Sequence, residues 1–550
     1  MLWRFILVLS FVLPPLIASE DLSPIEQKEI DDRIETFYSD SNAAAMNQKI
    51  PKFSLKQNRF VSPRPQFKTT KSADALTILA GKKAEDAYQK EYCEKFLKKH
   101  FPKINCDGHH DSEVQSNDQV EDLTDTWMDD VTYNLDRIPT SGKAAVTPWS
   151  DDYWRTRWGL TSYRYSEGKD YPTYREAVEA YAQPAVWENF ISSGIKELAK
   201  EIVKWSPAEK YDLIVGDPKF TLTNEQKNEG QNSVDPEGKV EDWMGICHGW
   251  AIAAVMVNRP VKPVQLRGPE GVSVEFYPND IKSLQSLLWA NGNYETNFVG
   301  GRCNVKDPEV YPNGRLKQQD CFDSNPATFH LVLGNLLGRK KVGFVYDKTF
   351  DYEVWNQPVT SYSFTYFNPL NPTQRSKNWR DVAVPYDRNF KSKDRFQTPL
   401  TRGFKRNGRG PQARRPGDAK IRKIVGVITN VVYVSELSPP IHSAENQVDE
   451  LVRETYTYDL ELSEDRGKLI ATGGEWHANL HPDFLWTSQK TSFASSDVDE
   501  TKIHFDGINE PSAKVTKAAQ KGSASANPLC EVVKVLTQKS SGMNYPCPND

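Results

Sequence analysis

One cysteine lies in a stretch whose pattern suits a reactive thiol. Gly245 and Ile246 precede Cys247, and an apolar run follows it until Pro260. We predict a turn leading into a buried helix, with Cys247 in its first turn and the proline ending the pattern. Free backbone N–H groups and the positive end of the helix dipole would favour the thiolate, the nucleophilic form of cysteine. The opposing interpretation is a buried structural cysteine or one half of a disulfide.

A cysteine nucleophile needs a base that accepts its proton and a group that orients this base. Our candidates are His330, near the start of a predicted strand at 329–333, and Asp347, directly after a predicted strand at 342–346. On adjacent antiparallel strands, the imidazole and the carboxylate would lie near one end of a sheet. His330 would then be the base, and Asp347 would fix its tautomer and stabilise the imidazolium. Asp351 is the alternative to Asp347, and a core histidine is the alternative for His330.

The elements that position these residues follow from the apolar patterns. Helices are predicted at 174–181 and 195–205, and the capping box from Ser206 to Glu209, with Pro207 at the first helical position, starts another. Beyond the Cys247 helix, strands are predicted at 272–277, 329–333, 342–346, 362–367 and 424–434, with a hairpin of 458–462 and 468–472. Helices followed by antiparallel strands predict an α+β fold.

Composition and the N-terminus indicate the compartment. The chain has 550 residues and a net charge of −5, which points to neither nucleic acid nor membrane surfaces. Residues 1–19 combine one positive charge, a short apolar core and small residues before Glu20, as secretory signals do. No later stretch approaches the ~20 apolar residues of a membrane span. We therefore predict a secreted protein, in the extracellular space, cell wall or periplasm.

Export makes disulfides plausible, and the cysteine count singles out Cys247. Six of the seven cysteines fall into pairs that are close in sequence: Cys93 with Cys106, Cys303 with Cys321, and Cys530 with Cys547. Cys247 is left over, and an odd cysteine in a secreted chain is a candidate reactive thiol.

Changes in composition divide the chain into four segments. Residues 1–19 are the signal peptide. Residues 20–125 are a polar leader or pro-segment, with no sustained period over 20–70 and one helical pattern between 72 and 101. Residues 126–490 hold the predicted catalytic domain. Residues 491–550 are predicted to form a loosely attached polar tail closed by Cys530 and Cys547.

Several short strings resemble a known family. Gly245 and Ala251 around Cys247, and Asp347 with Thr349, resemble the papain–transglutaminase superfamily only in outline. The string VWNQPV at 354–359 is similar to the core of the surface peptide of oomycete cell-wall transglutaminase elicitors, which have secreted bacterial relatives. The strings at 243–250, 473–476 and 481–486 resemble that family too. The similarity spans about 127–486, and after Val359 this chain departs from the elicitor peptide.

This resemblance implies a papain/transglutaminase-like core with protein-glutamine γ-glutamyltransferase activity on protein or peptide substrates that carry Gln and Lys. Cys247 would attack a glutamine carboxamide, release ammonia and form a thioester, which a lysine amine activated by His330 would displace. The backbone N–H of Cys247 and the indole of Trp243 are candidate oxyanion donors. Trp250 and Trp355 would complete an aromatic wall. The family also suggests calcium, although the chain contains no EF-hand loop.

Three alternatives stay open at this stage. Papain-type proteases place asparagine and tryptophan beside the catalytic histidine, so Asn356 could orient His330 in place of Asp347. A peptidase or amidase would use water as the acceptor, although Glu241 stands where papain-type enzymes have glutamine. A non-catalytic protein could bind cell-wall polymer through its many aromatic residues.

Overall fold

The computed structural model describes residues 22–38, 52–54, 59–60, 120–124, 127–180, 201–303, 305, 308–309, 316, 321, 324–393, 421–439, 448–465 and 468–547. Helices α1 to α11 are Pro24–Tyr38, Val120–Thr124, Tyr174–Ala180, Pro207–Ile214, Thr221–Asn228, Cys247–Met256, Pro278–Asn291, Pro326–Val332, Arg388–Lys393, Ala513–Ser523 and Cys530–Ser541. Strands β1 to β14 are Lys52–Ser54, Arg59–Phe60, Ser141–Lys143, Val264–Arg267, Ser273–Phe276, Thr296–Gly300, Phe344–Asp347, Asn356–Asn368, Asn371–Ser376, Val384–Pro385, Ile421–Ser435, Glu450–Asp465, Lys468–Trp476 and Phe484–Ser488.

A large antiparallel sheet organises the described residues. Its strand order is β2-β1-β12-β11-β8-β7-β14-β6, with β13 beside β12 and β3 and β9 beside β8. The central strand β11 is rich in valine and isoleucine and is buried along most of its length, which is typical of a strand covered on both faces. The combination of helices with an antiparallel sheet confirms the α+β class.

Two large clusters of buried side chains form the core. The first surrounds α6 and α7, where Trp250 and Leu287 are fully buried, and the second fills the space between α8 and the sheet. Gly249 permits the close contact of α6 with α7, because an added Cβ would lie 2.1 Å from the Ser286 carbonyl oxygen. Helix α6 also packs against β7, β8 and β14, so the start of α6 lies close to the sheet.

Most of the predicted elements are confirmed. The long strand at 424–434 lies within β11, and the hairpin is formed by β12 and β13, which pair antiparallel. The capping box is present as predicted, with Ser206 and Glu209 bonding each other's backbone N–H groups at the start of α4. Helix α6 begins at Cys247 itself.

The prediction of a strand at 329–333 is wrong, since these residues belong to α8 and the helical turns that follow it. Asn325 caps α8 by accepting a hydrogen bond from the Ala327 N–H, and Pro326 occupies the first turn. This pair is a helix-start signal, and it outweighs a five-residue apolar run that fits either structure. His330 therefore lies on a helix, and only Asp347 lies at the end of a strand.

The leader contains ordered structure that its composition does not predict. Helix α1 packs Ile30 and Ile34 against Phe367 and Ile428 on the outer face of the sheet. The guanidinium of Arg33 donates a hydrogen bond to the Thr455 carbonyl oxygen at 2.9 Å. The absence of a sustained period over 20–70 predicts no regular structure there, and this prediction is wrong for α1. Residues 1–19, the whole predicted helical pattern at 72–101, and Cys93 and Cys106 lie outside the described residues.

The C-terminal segment is an integral part of the first core cluster rather than a loose tail. Val532, Val533 and Leu536 of α11 are fully buried beside α7. Their spacing places them on one face of the helix, and this short apolar stripe is hidden within a polar composition. None of the helices in the described part of the chain combines the length and apolar character that a membrane span requires.

Candidate active site around Cys247

The turn before Cys247 is held in place by an earlier segment of the chain. The Ile246 N–H donates to the Tyr153 carbonyl oxygen at 2.8 Å, and Gly245 forms a β-bridge with Arg155. A Cβ on Gly245 would lie 2.5 Å from the same Tyr153 oxygen, so glycine is required there by close approach. The turn thereby fixes the point at which α6 starts.

Cys247 is a free thiol in a buried position. Its Sγ donates to the Val354 carbonyl oxygen at 3.7 Å and lies 3.6 Å from Asn356 Nδ2, which donates to it. Burial raises the pKa of Cys247 to about 11, although the backbone and side-chain N–H groups of Asn356 act in the opposite direction. The position at the helix start is as expected, but the expected thiolate is replaced by a protonated thiol.

Asp347 lies beside the same site. It ends β7 and is the direct cross-strand partner of Asn356, the first residue of β8. Its Oδ1 accepts a hydrogen bond from the Trp355 N–H at 2.9 Å, while Oδ2 has no hydrogen-bond partner among the described residues. Burial raises the pKa of Asp347 to about 8. The structure therefore brings Cys247 and Asp347 together, with Asn356 between them.

His330 occupies a different environment. Its Nδ1 is hydrogen bonded to the Tyr458 hydroxyl at 2.9 Å and its Nε2 to the Tyr366 hydroxyl at 3.4 Å. The ring stacks on Phe364 at a centroid distance of 3.8 Å, and burial lowers the pKa of His330 to about 3. Neither ring nitrogen is hydrogen bonded to Cys247 or Asp347, so the structure does not assemble the predicted triad.

Asp351, the alternative to Asp347, lies in the loop that connects β7 to β8. Burial raises its pKa to about 6, and the nearby Glu353 carboxylate adds to this shift. It makes no hydrogen bond to His330, whose bonds go to the two tyrosines. Asp351 therefore does not take over the orienting role in this structure.

The three tryptophans proposed for the aromatic wall all use their indole N–H groups elsewhere. Trp243 donates to Glu241 at 2.5 Å, Trp355 to Glu353 at 2.9 Å, and Trp250 to a backbone carbonyl at 3.0 Å. Trp250 is fully buried and belongs to the core. The Trp243 N–H is therefore not directed at the reacting sulfur.

The β7–β8 loop, residues 348–355, covers Cys247. Tyr352 donates its hydroxyl hydrogen to Glu241 at 2.6 Å and packs edge-on against Trp243. Arg302 donates to the Tyr352 carbonyl oxygen at 3.0 Å. Together with the bond from Cys247 to Val354, these contacts leave Cys247 only 4% exposed.

A disulfide is connected to the site through one aspartate. Cys303 and Cys321 are bonded as predicted, and so are Cys530 and Cys547. The Cys303 N–H donates to Asp483 Oδ2 at 2.7 Å, and the Asp483 N–H donates to the Asp347 carbonyl oxygen at 3.1 Å. The disulfide loop therefore supports the strand end that carries Asp347.

Calcium finds no assembled site in the described part of the chain. Those residues contain no group of three or more His, Cys, Asp or Glu side chains placed to hold a metal ion. Calcium binding stays a prediction, and no step of the chemistry below depends on it.

Asn356 lies beside Cys247, a position that its sequence context does not predict. The sequence suggests it only as an orienter of His330, whereas its side chain faces Cys247. The VWNQPV string that contains it was a usable signal. Within that string, the sequence does not show which side chains point towards the cysteine.

A comparison with protein families identifies the family of the chain. The family model described as transglutaminase elicitor matches residues 119–414, which is more than half of the chain. The chain belongs to the transglutaminase elicitor family. The matched range includes Cys247, Asp347 and Asn356, and Trp486 lies beyond it.

Among solved structures, the chain is similar to the GP42 transglutaminase from Phytophthora sojae. The two share 20% sequence identity with a TM-score of 0.46, over 77% of this chain and 97% of that chain. No curated protein matches the sequence.

Proposed function

We propose that the protein is a secreted protein-glutamine γ-glutamyltransferase in which Cys247 is the nucleophile. Membership of the transglutaminase elicitor family supports the reaction class. The observation that carries the assignment is the free Cys247 thiol at the start of α6, in hydrogen-bond contact with Asn356. The two disulfides among the described residues support an oxidising compartment.

The reaction proceeds in two covalent steps. Sγ of Cys247 bonds to the carbonyl carbon of a glutamine carboxamide, and the carbon–nitrogen bond breaks. The thiol proton ends on the departing nitrogen, which leaves as ammonia. A lysine amine then bonds to the thioester carbon, the carbon–sulfur bond breaks, and one amine proton returns to the sulfur. An isopeptide bond and the original thiol result.

The surroundings of Cys247 favour transfer to an amine over hydrolysis. The β7–β8 loop and Trp243 shield the sulfur, and a shielded thioester is protected from water until an amine reaches it. The buried aromatic residues that precede α6, such as Trp149 and Trp154, are core residues rather than a polymer-binding face. This arrangement supports an enzyme over a wall-binding protein.

Asp347 is the candidate for assisting proton transfer in these steps. The Asp347 carboxyl, with a pKa of about 8, exchanges protons near neutral pH, which suits a group that assists proton transfer. The base role of His330 stays a prediction. It would require the ring to exchange its bonds to Tyr458 and Tyr366 for one to the thiol.

The test supplies a glutamine-containing protein and a labelled primary amine, with and without a chelator. The purified protein should incorporate the amine and release ammonia. Cys247→Ala should reduce both to background while the protein stays folded, because the thiol has no substitute. Cleavage of donor peptide bonds without amine incorporation would identify a peptidase and refute the transferase.

A further inference from the structure

We propose that the Asn356 carboxamide is a catalytic hydrogen-bond donor to the reacting centre, and that Trp486 is a positioning residue that fixes its orientation. This inference rests on the proposed function, because it assumes that Cys247 is the nucleophile. It assigns a function to a residue pair outside the predicted triad of Cys247, His330 and Asp347.

The orientation of the Asn356 amide follows from the chemistry of its neighbour. The indole nitrogen of Trp486 can only donate, and it lies 2.7 Å from Asn356 Oδ1. The carbonyl oxygen of the amide must therefore face Trp486. The NH2 group then points the opposite way, towards Cys247 Sγ at 3.6 Å.

Three neighbouring strands hold this pair rigidly. Asn356 starts β8 opposite Asp347 of β7, and Trp486 of β14 pairs with Val345 of β7. Asn356 is 2% exposed and Trp486 is 4% exposed. A donor fixed in this way costs no reorganisation when charge develops beside it.

The position of the amide matches the needs of the first covalent step. When Sγ bonds to the carboxamide carbon, the substrate oxygen gains negative charge. Hydrogen-bond donors that surround Sγ can stabilise this charge. The Cys247 backbone N–H, at the helix start where N–H groups lack helical partners, supplies one donor. The Trp243 indole is engaged by Glu241. Asn356 therefore takes the place of the second donor.

The contact also acts before substrate arrives. An N–H group that points at Sγ stabilises the thiolate relative to the thiol. The backbone N–H and the side-chain NH2 of Asn356 both lower the pKa of Cys247, against the effect of burial. A merely structural amide would satisfy Trp486 without changing the titration of the thiol. The two roles are therefore distinguishable.

The experiment uses the full chain with Asn356→Ala, Asn356→Asp and Trp486→Phe. Asn356→Asp retains an oxygen for Trp486 but presents an acceptor to the sulfur, so it tests the donor even if Asn356→Ala folds poorly. The matched control is Trp379→Phe, because Trp379 is also buried and donates its indole N–H to a side-chain oxygen, that of Asp136, at 3.0 Å. Amine incorporation gives kcat and KM, and iodoacetamide gives the pH profile of Cys247 alkylation.

We expect both Asn356 variants to lower kcat by about 10²–10³-fold with KM nearly unchanged, as for loss of an oxyanion donor. Trp486→Phe should lower kcat by about tenfold, which would reflect a misoriented amide. All three should shift the alkylation profile to higher pH, while Trp379→Phe should leave kcat and the profile unchanged.

Wild-type kcat and an unmoved alkylation profile in folded Asn356→Asp would overturn the inference. Alkylation needs no turnover, so it separates this inference from the proposed function. If wild-type protein showed no transfer, the proposed function would fail. A profile shifted in both Asn356→Ala, which adds no charge, and Asn356→Asp would still uphold the donor contact, and an unshifted profile in Asn356→Asp would refute it.

Discussion

Asp347 and Asn356 face each other as directly paired residues of β7 and β8, and only Asn356 of the two makes a hydrogen bond to Cys247. The pairing places a carboxyl and a carboxamide on the same side of the sheet end, where α6 begins. The structure therefore does not show the predicted triad of cysteine, histidine and aspartate. It shows Cys247 beside the amide of Asn356 and the carboxyl of Asp347.

The Cys247 thiol should react slowly near neutral pH and faster as the pH rises. With a pKa of about 11, the thiolate fraction increases about tenfold per pH unit below that value, so alkylation should accelerate about 100-fold from pH 8 to pH 10. Mass mapping after timed alkylation of the oxidised protein would measure this rate. A profile with its midpoint near pH 8 would contradict the buried, protonated thiol.

Release of the β7–β8 loop should expose the same thiol. Tyr352→Phe removes the hydrogen bond to Glu241, and a loss of ~1 kcal/mol corresponds to about fivefold more frequent opening. The alkylation rate at fixed pH should rise by about this factor. Tyr165→Phe is the matched control, since Tyr165 donates to Asp280 at 3.0 Å in the core. Equal rates in all three proteins would show that this bond does not control access.

Asp347 should make stability depend on pH. Its folded pKa, about 8, lies above the ordinary value of 3.8, so the native state binds the extra proton. The stability contributed by the protonated carboxyl is present below about pH 4 and is lost as the pH rises through about 8. Asp347→Asn should therefore gain stability relative to the wild type as the pH rises from 4 to 8.

Urea midpoints of the two proteins across this range would measure the effect of Asp347. Asp351→Asn provides the matched control, because the pKa of Asp351 is raised only to about 6. The difference in urea midpoint between Asp351→Asn and the wild type should stop changing at a lower pH, near 6 rather than near 8. A pH-independent difference between Asp347→Asn and the wild type would show that Asp347 is ionised in the native state. The same variants compare the two aspartates in turnover, where Asp347→Asn should be the more severe.

The base role predicted for His330 can be separated from a structural one. If His330 is the base, His330→Gln should lower kcat by about 10²–10⁴-fold. Glutamine retains polar atoms that can bond to the two tyrosines. Thermal unfolding reports the structural share, because both hydroxyl contacts are buried. A lowered Tm with an intact kcat in His330→Gln would assign the residue to the core.

The sequence was most informative where one local signal dominated. The odd cysteine count and the glycine turn predict a free Cys247 at a helix start, and the long run of valines and isoleucines at 424–434 predicts β11. Residues 329–333 could not be resolved by periodicity, because a short apolar run fits a strand or a helix. Only the Asn325–Pro326 start signal distinguishes them.

Long-range contacts account for what the sequence did not predict. Asn356 and Trp486 are 130 positions apart, and only the pairing of β8, β7 and β14 brings them together. Similarly, the apolar faces of α1 and α11 are short stripes in polar segments, and their burial depends on surfaces formed elsewhere in the chain. The raised pKa of Cys247 reflects the same difficulty, since its main cause is burial, which depends on contacts between distant parts of the chain.

The shielded thiol has a consequence for how the chain matures. Thiol–disulfide exchange proceeds through a thiolate that can reach another sulfur. Cys247 is covered in the folded protein and burial raises its pKa, so we expect it neither to scramble the Cys303–Cys321 and Cys530–Cys547 bridges nor to form mixed disulfides with small oxidants. The fold would thereby keep the sulfur of Cys247 reduced under conditions that oxidise the four cysteines of these two bridges.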